Sequence, residues 1–208
     1  MLLAIDIGNT NVVLGVFAGR RVAHSWRIAT ARERTSDELG LQVLQLIERA
    51  GIRPGRIDGV VLASVVPPLT GAMIDMCRRY LRTEPLNLEP GVTTGMPVLY
   101  DNPAEVGADR IVNGMAAWER YGRVRRTPLI VVDFGTATTF DAISAKGEYL
   151  GGAICPGIQI SADALFQRAA RLPRIDVRKP AYAIGRTTVT SMQSGLFFGY
   201  VGMVEGLV

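Results

Sequence analysis

The sequence predicts an α/β protein built from two similar halves, each a mixed sheet flanked by helices. Residues 2–17 read LLAIDIGNTNVVLGVF, and residues 129–143 read LIVVDFGTATTFDAI. Each segment has an apolar run, an Asp-x-Gly turn with a small hydroxyl residue, and a second apolar run, which describes a β-hairpin. Asp6 answers to Asp133, Gly8 to Gly135 and Thr10 to Thr136. The second observation is the order of patterns that begins with the first hairpin, β-β-β-α-β-α-β, and restarts with a hairpin after residue 128. The expected domains are residues 1–120 and 121–208.

In the first half, apolar alternation predicts strands over 2–7 and 12–17 around the Gly8-Asn9-Thr10 turn. Gly19-Arg20 makes the next turn, and 21–29 reads as a third strand. From Ser36 to Ala50, most of the residues Leu39, Leu41, Val43, Leu44, Leu46 and Ile47 fit one helical stripe. Thr35 or Ser36 can cap that helix, Glu38 lies in its first turn, and Gly51 ends it. GVVLASVV at 59–66 is an apolar, β-branched run stopped by Pro67-Pro68, the pattern of a buried parallel strand. A helix over about 70–82 and a short strand near 85–88 follow. Asn102-Pro103 marks a turn. A helix then runs to about 121, with Asp109 just ahead of the apolar-periodic Ile111, Val112, Met115, Ala116 and Trp118.

The second half gives the hairpin at 129–143, a turn at Gly147, a strand near 149–155 and a helix over about 159–170 that follows Pro156-Gly157. Gly195, Gly199, Gly202 and Gly206 lie three or four apart in the last segment. On one helical face they would permit close backbone approach, either to a packed sheet or near a nucleotide.

Composition narrows the function. Hydrophobic content of 48% with 20% charged residues excludes a disordered or low-complexity chain. The +4 formal charge reflects an arginine excess, read as a solvated surface before a phosphate-attracting one. It forms no basic stripe interleaved with aromatics, so no nucleic-acid partner is expected. Two cysteines, Cys77 and Cys155, make neither a disulfide framework nor a metal-ligand spacing. The single histidine, His24, leaves little room for a His-based metal site or a Ser-His-Asp triad and reads as a strand residue. The chain runs straight into its first strand and has no long uninterrupted apolar segment, so neither a signal peptide nor a membrane association is expected. A reducing cytoplasm fits these features.

The turns carry the chemistry. A glycine turn offers backbone N–H groups and hydroxyls to an anion, with a carboxylate beside them for a metal ion. One such turn is weak evidence, because glycine turns are common. Two at matching places in two halves suggest an ATP-using phosphotransferase of the actin, sugar kinase and Hsp70 architecture. Asp109 alone reads equally well as a favourable helix start. Arg110 directly after it is harder to explain as capping, and an adjacent acid and base can hold and activate a polar substrate.

The whole set resembles one family, type III pantothenate kinase. The matching segments are DIGNTN at 6–11, YDNP at 100–103, GADR at 107–110, DFGTATT at 133–139, GGAICPG at 151–157 and TTVTSMQSG at 187–195. The resemblance implies two duplicated actin-like (ribonuclease H-like) domains, cytoplasmic location and ATP-dependent phosphorylation of pantothenate. It implies ATP contacts at Asp6, Ile7, Gly8, Asn9, Thr10, Asn11, Val12 and Val13, and at Gly135 and Thr136. Asp6 would lie near Mg2+, and Asp133 would bind a monovalent cation, K+ or NH4+. Tyr100, Gly107, Ala108, Asp109, Arg110 and Thr188 would contact pantothenate. Asp109 would be the general base, and Thr188 would reach across a homodimer interface. Family chains are expected to continue past Val208 and to supply more sheet, another glycine turn and part of the adenosine pocket, leaving the second domain here incomplete. Two other readings predict different behaviour. A sugar or acetate kinase of the same architecture would share the twin turns but not YDNP with GADR. A non-catalytic regulator, like the family's transcriptional accessory relatives, would bind without turnover.

Overall fold

The computed structural model describes residues 1–88 and 94–208. The chain divides into two compact units, Met1–Met115 and Ala116–Val208.

In the first unit, strands β1 (Leu2–Ile7), β2 (Asn11–Ala18) and β3 (Arg21–Ala29) form an antiparallel meander. Helix α1 (Ser36–Arg49) leads to β4 (Gly59–Ser64), which lies parallel to β1. Helix α2 (Pro67–Met76) leads to β5 (Leu86–Leu88), parallel to β4. The sheet order is β3-β2-β1-β4-β5, the mixed sheet the sequence predicts. Alternation places Leu3, Ile5 and Ile7 of β1 and Val12, Leu14 and Val16 of β2 in the core, against Leu39, Val43 and Ile47 of α1. His24 lies exposed on β3, stacked on Trp26 with ring centroids 5.8 Å apart.

Thr35 caps α1 and forms a reciprocal box with Glu38, whose N–H donates to Thr35 Oγ1 at 3.3 Å while the Thr35 N–H donates to Glu38 Oε2 at 2.8 Å. Gly51 follows at φ +73°, the left-handed exit that glycine adopts without a Cβ penalty. Helix α2 begins at Pro67, earlier than the expected residue 70. Pro67 and Pro68 fill its first turn, where the missing N–H groups cost nothing. A π turn (Cys77–Leu81) extends it. Cys77 is fully buried there, and burial pushes its thiol up to about 12.

In the second unit, β6 (Leu129–Phe134), β7 (Ala137–Ile143) and β8 (Tyr149–Pro156) form an antiparallel sheet in that order. Gly147 turns β7 into β8 at φ +83°, with the Trp118 indole packed over it. Helix α4 (Ile158–Arg168) follows directly, and α5 (Thr188–Leu207) ends the chain. Tyr200 on α5 shares a 2.7 Å hydroxyl contact with Ser161 on α4. The four α5 glycines depart from the expected close approach. Apart from the helix's own neighbouring residues, no described atom lies within 4 Å of a Cβ built on Gly195, Gly199, Gly202 or Gly206. The helix buries Met192, Ser194 and Leu196 instead.

Among the described residues, no helix is long and apolar enough to cross a membrane.

Candidate functional site

The first glycine turn closes the end of β1. The Gly8 N–H donates to the Asn11 carbonyl at 2.9 Å. From the end of β3, the Thr30 N–H donates to the Thr10 carbonyl at 3.0 Å, and Thr30 Oγ1 donates to the Gly8 carbonyl at 2.7 Å. Asp6, Asn9 and Thr10 are exposed, Gly8, Asn11 and Val13 are half-buried, and Ile7 and Val12 anchor the flanking strands in the core. The turn therefore stands at the surface on a rigid base. Arg32 reaches it, donating from Nη2 to Asn9 Oδ1 at 3.3 Å. Sequence reasoning missed Arg32 as a neighbour of the turn. The only signal was a cation just past the third strand.

The GADR segment opens α3 (Ala108–Ala117) in the same unit. Before it, Asn102 Oδ1 accepts from the Ala104 N–H at 3.3 Å and starts a short 3-10 turn, Pro103–Glu105. Tyr100 is half-buried just upstream. Asp109 lies inside the first helical turn, where its Oδ1 accepts the Arg110 N–H at 2.8 Å. A Cβ on Gly107 would sit 2.5 Å from that same oxygen, so glycine leaves the space the carboxylate occupies. Ala108 is buried, and Arg110 is 9% exposed. Burying a guanidinium is costly unless anionic or hydrogen-bonding groups surround it.

One strand edge joins these parts. Gly107 lies against Val65, with Val65 Cγ1 3.7 Å from the Gly107 Cβ position, and the Val65 N–H donates to the Ile7 carbonyl at 3.0 Å. The start of α3 thus sits at the carboxyl ends of the parallel strands β1 and β4, beside the first turn. Open sheets with parallel strands bind ligands at this edge. Asp109 accepts the Arg110 N–H at the helix start, as the capping reading holds, and lies at that same edge.

The second turn is one residue shorter but is tied at its threonine in the same way. The Gly135 N–H donates to the Ala137 carbonyl at 3.0 Å, and the Gly157 N–H donates to the Thr136 carbonyl at 3.0 Å. Asp133, Gly135 and Thr136 are all exposed. Thr188 is the first residue of α5 and is exposed. Its neighbour Thr187 caps the helix, accepting the Thr190 N–H at 3.2 Å. Thr188 therefore belongs to the second unit, whereas Tyr100, Asp109 and Arg110 belong to the first.

Among the described residues, no cluster of three or more His, Cys, Asp or Glu forms a cage for a metal ion. Mg2+ keeps several waters and binds through one or two carboxylates plus substrate phosphates. A single exposed carboxylate beside a glycine turn fits that mode.

The sequence profile described as type III pantothenate kinase matches residues 2–208. A type III pantothenate kinase of Myxococcus xanthus is 59% identical over 207 residues, covering 100% of this chain and 79% of that protein. Two solved structures share the fold. One, described as a conserved Baf family transcriptional activator from Campylobacter jejuni, superposes with a TM-score of 0.58 at 20% identity, covering 99% of this chain and 79% of the other. The second, described as a 2-dehydro-3-deoxygalactonokinase from Sinorhizobium meliloti, gives a TM-score of 0.58 at 11% identity, covering 100% of this chain and 81% of the other.

Proposed function

The chain belongs to the type III pantothenate kinase family, and from that premise we propose that it transfers the γ-phosphoryl group of ATP to pantothenate. The product is 4′-phosphopantothenate, formed in the first step of coenzyme A synthesis. The observation that carries the assignment is the placing of the Asp6–Thr10 turn and the Gly107–Arg110 segment at one carboxyl edge of the first sheet. That juxtaposition offers a phosphate site beside an acid–base pair, the two parts the reaction needs.

The primary hydroxyl of pantothenate attacks the γ-phosphorus in line. An O–P bond forms to that hydroxyl, the bond from the γ-phosphorus to the bridging oxygen breaks, and ADP leaves. Asp109 accepts the hydroxyl proton, which in a loose transition state moves late. Arg110 holds the pantothenate carboxylate, and Tyr100, Gly107 and Ala108 shape the same site. The turn from Asp6 to Val13 binds phosphate oxygens through its N–H groups and hydroxyls, with Gly135 and Thr136 doing so in the second unit. Asp6 would hold Mg2+ and Asp133 a monovalent cation, and when bound these ions would offset phosphate charge. Most of the rate then comes from positioning and charge neutralisation.

The two units read as duplicated actin-like domains, supported by the matching hydrogen bonds of their turns. Thr188 lies in a different unit from Asp109, which is compatible with its contacting the substrate of a partner copy in a homodimer.

Asp109→Asn tests the base. The variant should lose about 10²–10⁴-fold in kcat while pantothenate binding, followed by calorimetry, stays near the parent value. Near-normal turnover would remove Asp109 from that role.

A further inference from the structure

Each glycine turn is tied to the third strand of its own sheet. In the first unit Asn11 pairs with Ala29, and the next residue, Thr30, donates its N–H to Thr10. In the second unit Ala137 pairs with Pro156, and the next residue, Gly157, donates its N–H to Thr136. The two bonds are both 3.0 Å long and hold the equivalent threonine of each turn. We propose that Thr30 and Gly157 are positioning residues that set the phosphate-binding geometry of the two turns. The inference rests on the reading of those turns as ATP-phosphate sites.

The two residues do this by different means. Thr30 adds a second bond, from its hydroxyl to the Gly8 carbonyl at 2.7 Å, so both ends of the first turn are fixed from one side chain and its backbone. Gly157 works by having no side chain. A Cβ there would come within 2.5 Å of the Gly135 and Thr136 carbonyl oxygens, both backbone atoms that cannot swing aside. Backbone freedom does not explain this glycine, because its φ of −67° and ψ of 155° suit any residue. Close approach does. Gly157 also cannot retreat easily, since its carbonyl accepts the Ser161 N–H at 2.9 Å and starts α4. Any side chain would push the turn by roughly 1 Å to reach ordinary van der Waals separation. A shift of that size in a positioning element can cost on the order of 100-fold in rate.

The test uses the whole chain and MgATP as probe, with affinity measured by calorimetry and KM for ATP and pantothenate measured separately. The variants are Thr30→Val, Thr30→Ser and Gly157→Ala, beside the turn variants Thr10→Ala and Thr136→Ala. Thr30→Val keeps the shape and loses the hydroxyl, and should weaken MgATP about three- to tenfold, the range expected for one hydrogen bond. Thr30→Ser should restore parent affinity. Gly157→Ala should weaken MgATP at least as much as Thr30→Val, with KM for pantothenate unchanged in every case. If the turn variants weaken MgATP but Thr30→Val and Gly157→Ala do not, the positioning role is overturned and the phosphate turns stand. Should the turn variants also keep parent affinity, the reading of the turns fails and takes the proposal with it. If Gly157→Ala does not fold, the contrast between Thr30→Val and Thr30→Ser decides alone.

Discussion

Asp133 stands exposed at the end of β6, with the Gly135 Cβ position 4.0 Å from its Oδ1. An exposed carboxylate beside a glycine turn suits a weakly held cation, and the proposed role gives a direct expectation. Replacing potassium by sodium at constant ionic strength should lower kcat, and Asp133→Asn should abolish the difference between the two salts. Equal rates in both salts for the parent chain would remove the cation from Asp133. Asp6, Asp109, Asp133 and their neighbours were legible in the sequence because their motifs are contiguous. Thr30 and Arg32 were not, and Gly157 was legible only as the end of the GGAICPG segment, without its contact to the turn. Their importance depends on what the far end of a third strand meets, and no local pattern encodes that encounter. Gly107 was legible as part of a motif, but its physical reason, room for the Asp109 carboxylate, is a fact of the folded helix start.

At the scale of elements, α1 shows what local sequence can specify. Thr35, Glu38 and Gly51 mark both its ends, and the helix lies between them. Helix α2 shows the limit, because Pro67-Pro68 signals a stop to the strand before it and a start to the helix after it. The α5 glycines show another. Their spacing was plain, but which face packs is a tertiary fact. Gly40 on α1 was not singled out at all. A Cβ there would lie 2.6 Å from the Tyr80 ring, which is held by a 2.5 Å bond from its hydroxyl to Asp37 and by Arg79 over its face. Gly40→Ala should therefore cost about 1–3 kcal/mol through overpacking, despite alanine's better helix propensity. Gly55→Ala, which faces open space, should stay within about 0.5 kcal/mol. Thermal melts of the two variants check this, and a stabilised Gly40→Ala would contradict the packing account.

For the whole molecule, the α/β class was legible because hydrophobic alternation and helical stripes follow one another along the chain, but the second sheet is three antiparallel strands among the described residues and not the mixed sheet expected of each half. The strand order β3-β2-β1-β4-β5 follows from those elements once a hairpin edge is joined to parallel crossovers. Activity is a different matter, since one fold hosts many chemistries. The solved structures that share this fold, described as a transcriptional activator and a sugar-acid kinase, illustrate that range. Here the substrate reading depends on the Gly107–Arg110 segment lying beside the first turn, together with family membership over residues 2–208. The direct test is to incubate the purified, folded chain with pantothenate and MgATP in potassium buffer and to follow 4′-phosphopantothenate by phosphorus NMR. A new phosphomonoester signal that requires both substrates and falls steeply in Asp109→Asn is the predicted result. Binding of ATP and pantothenate with no phosphomonoester formed, or phosphorylation of a sugar in place of pantothenate, would contradict the account.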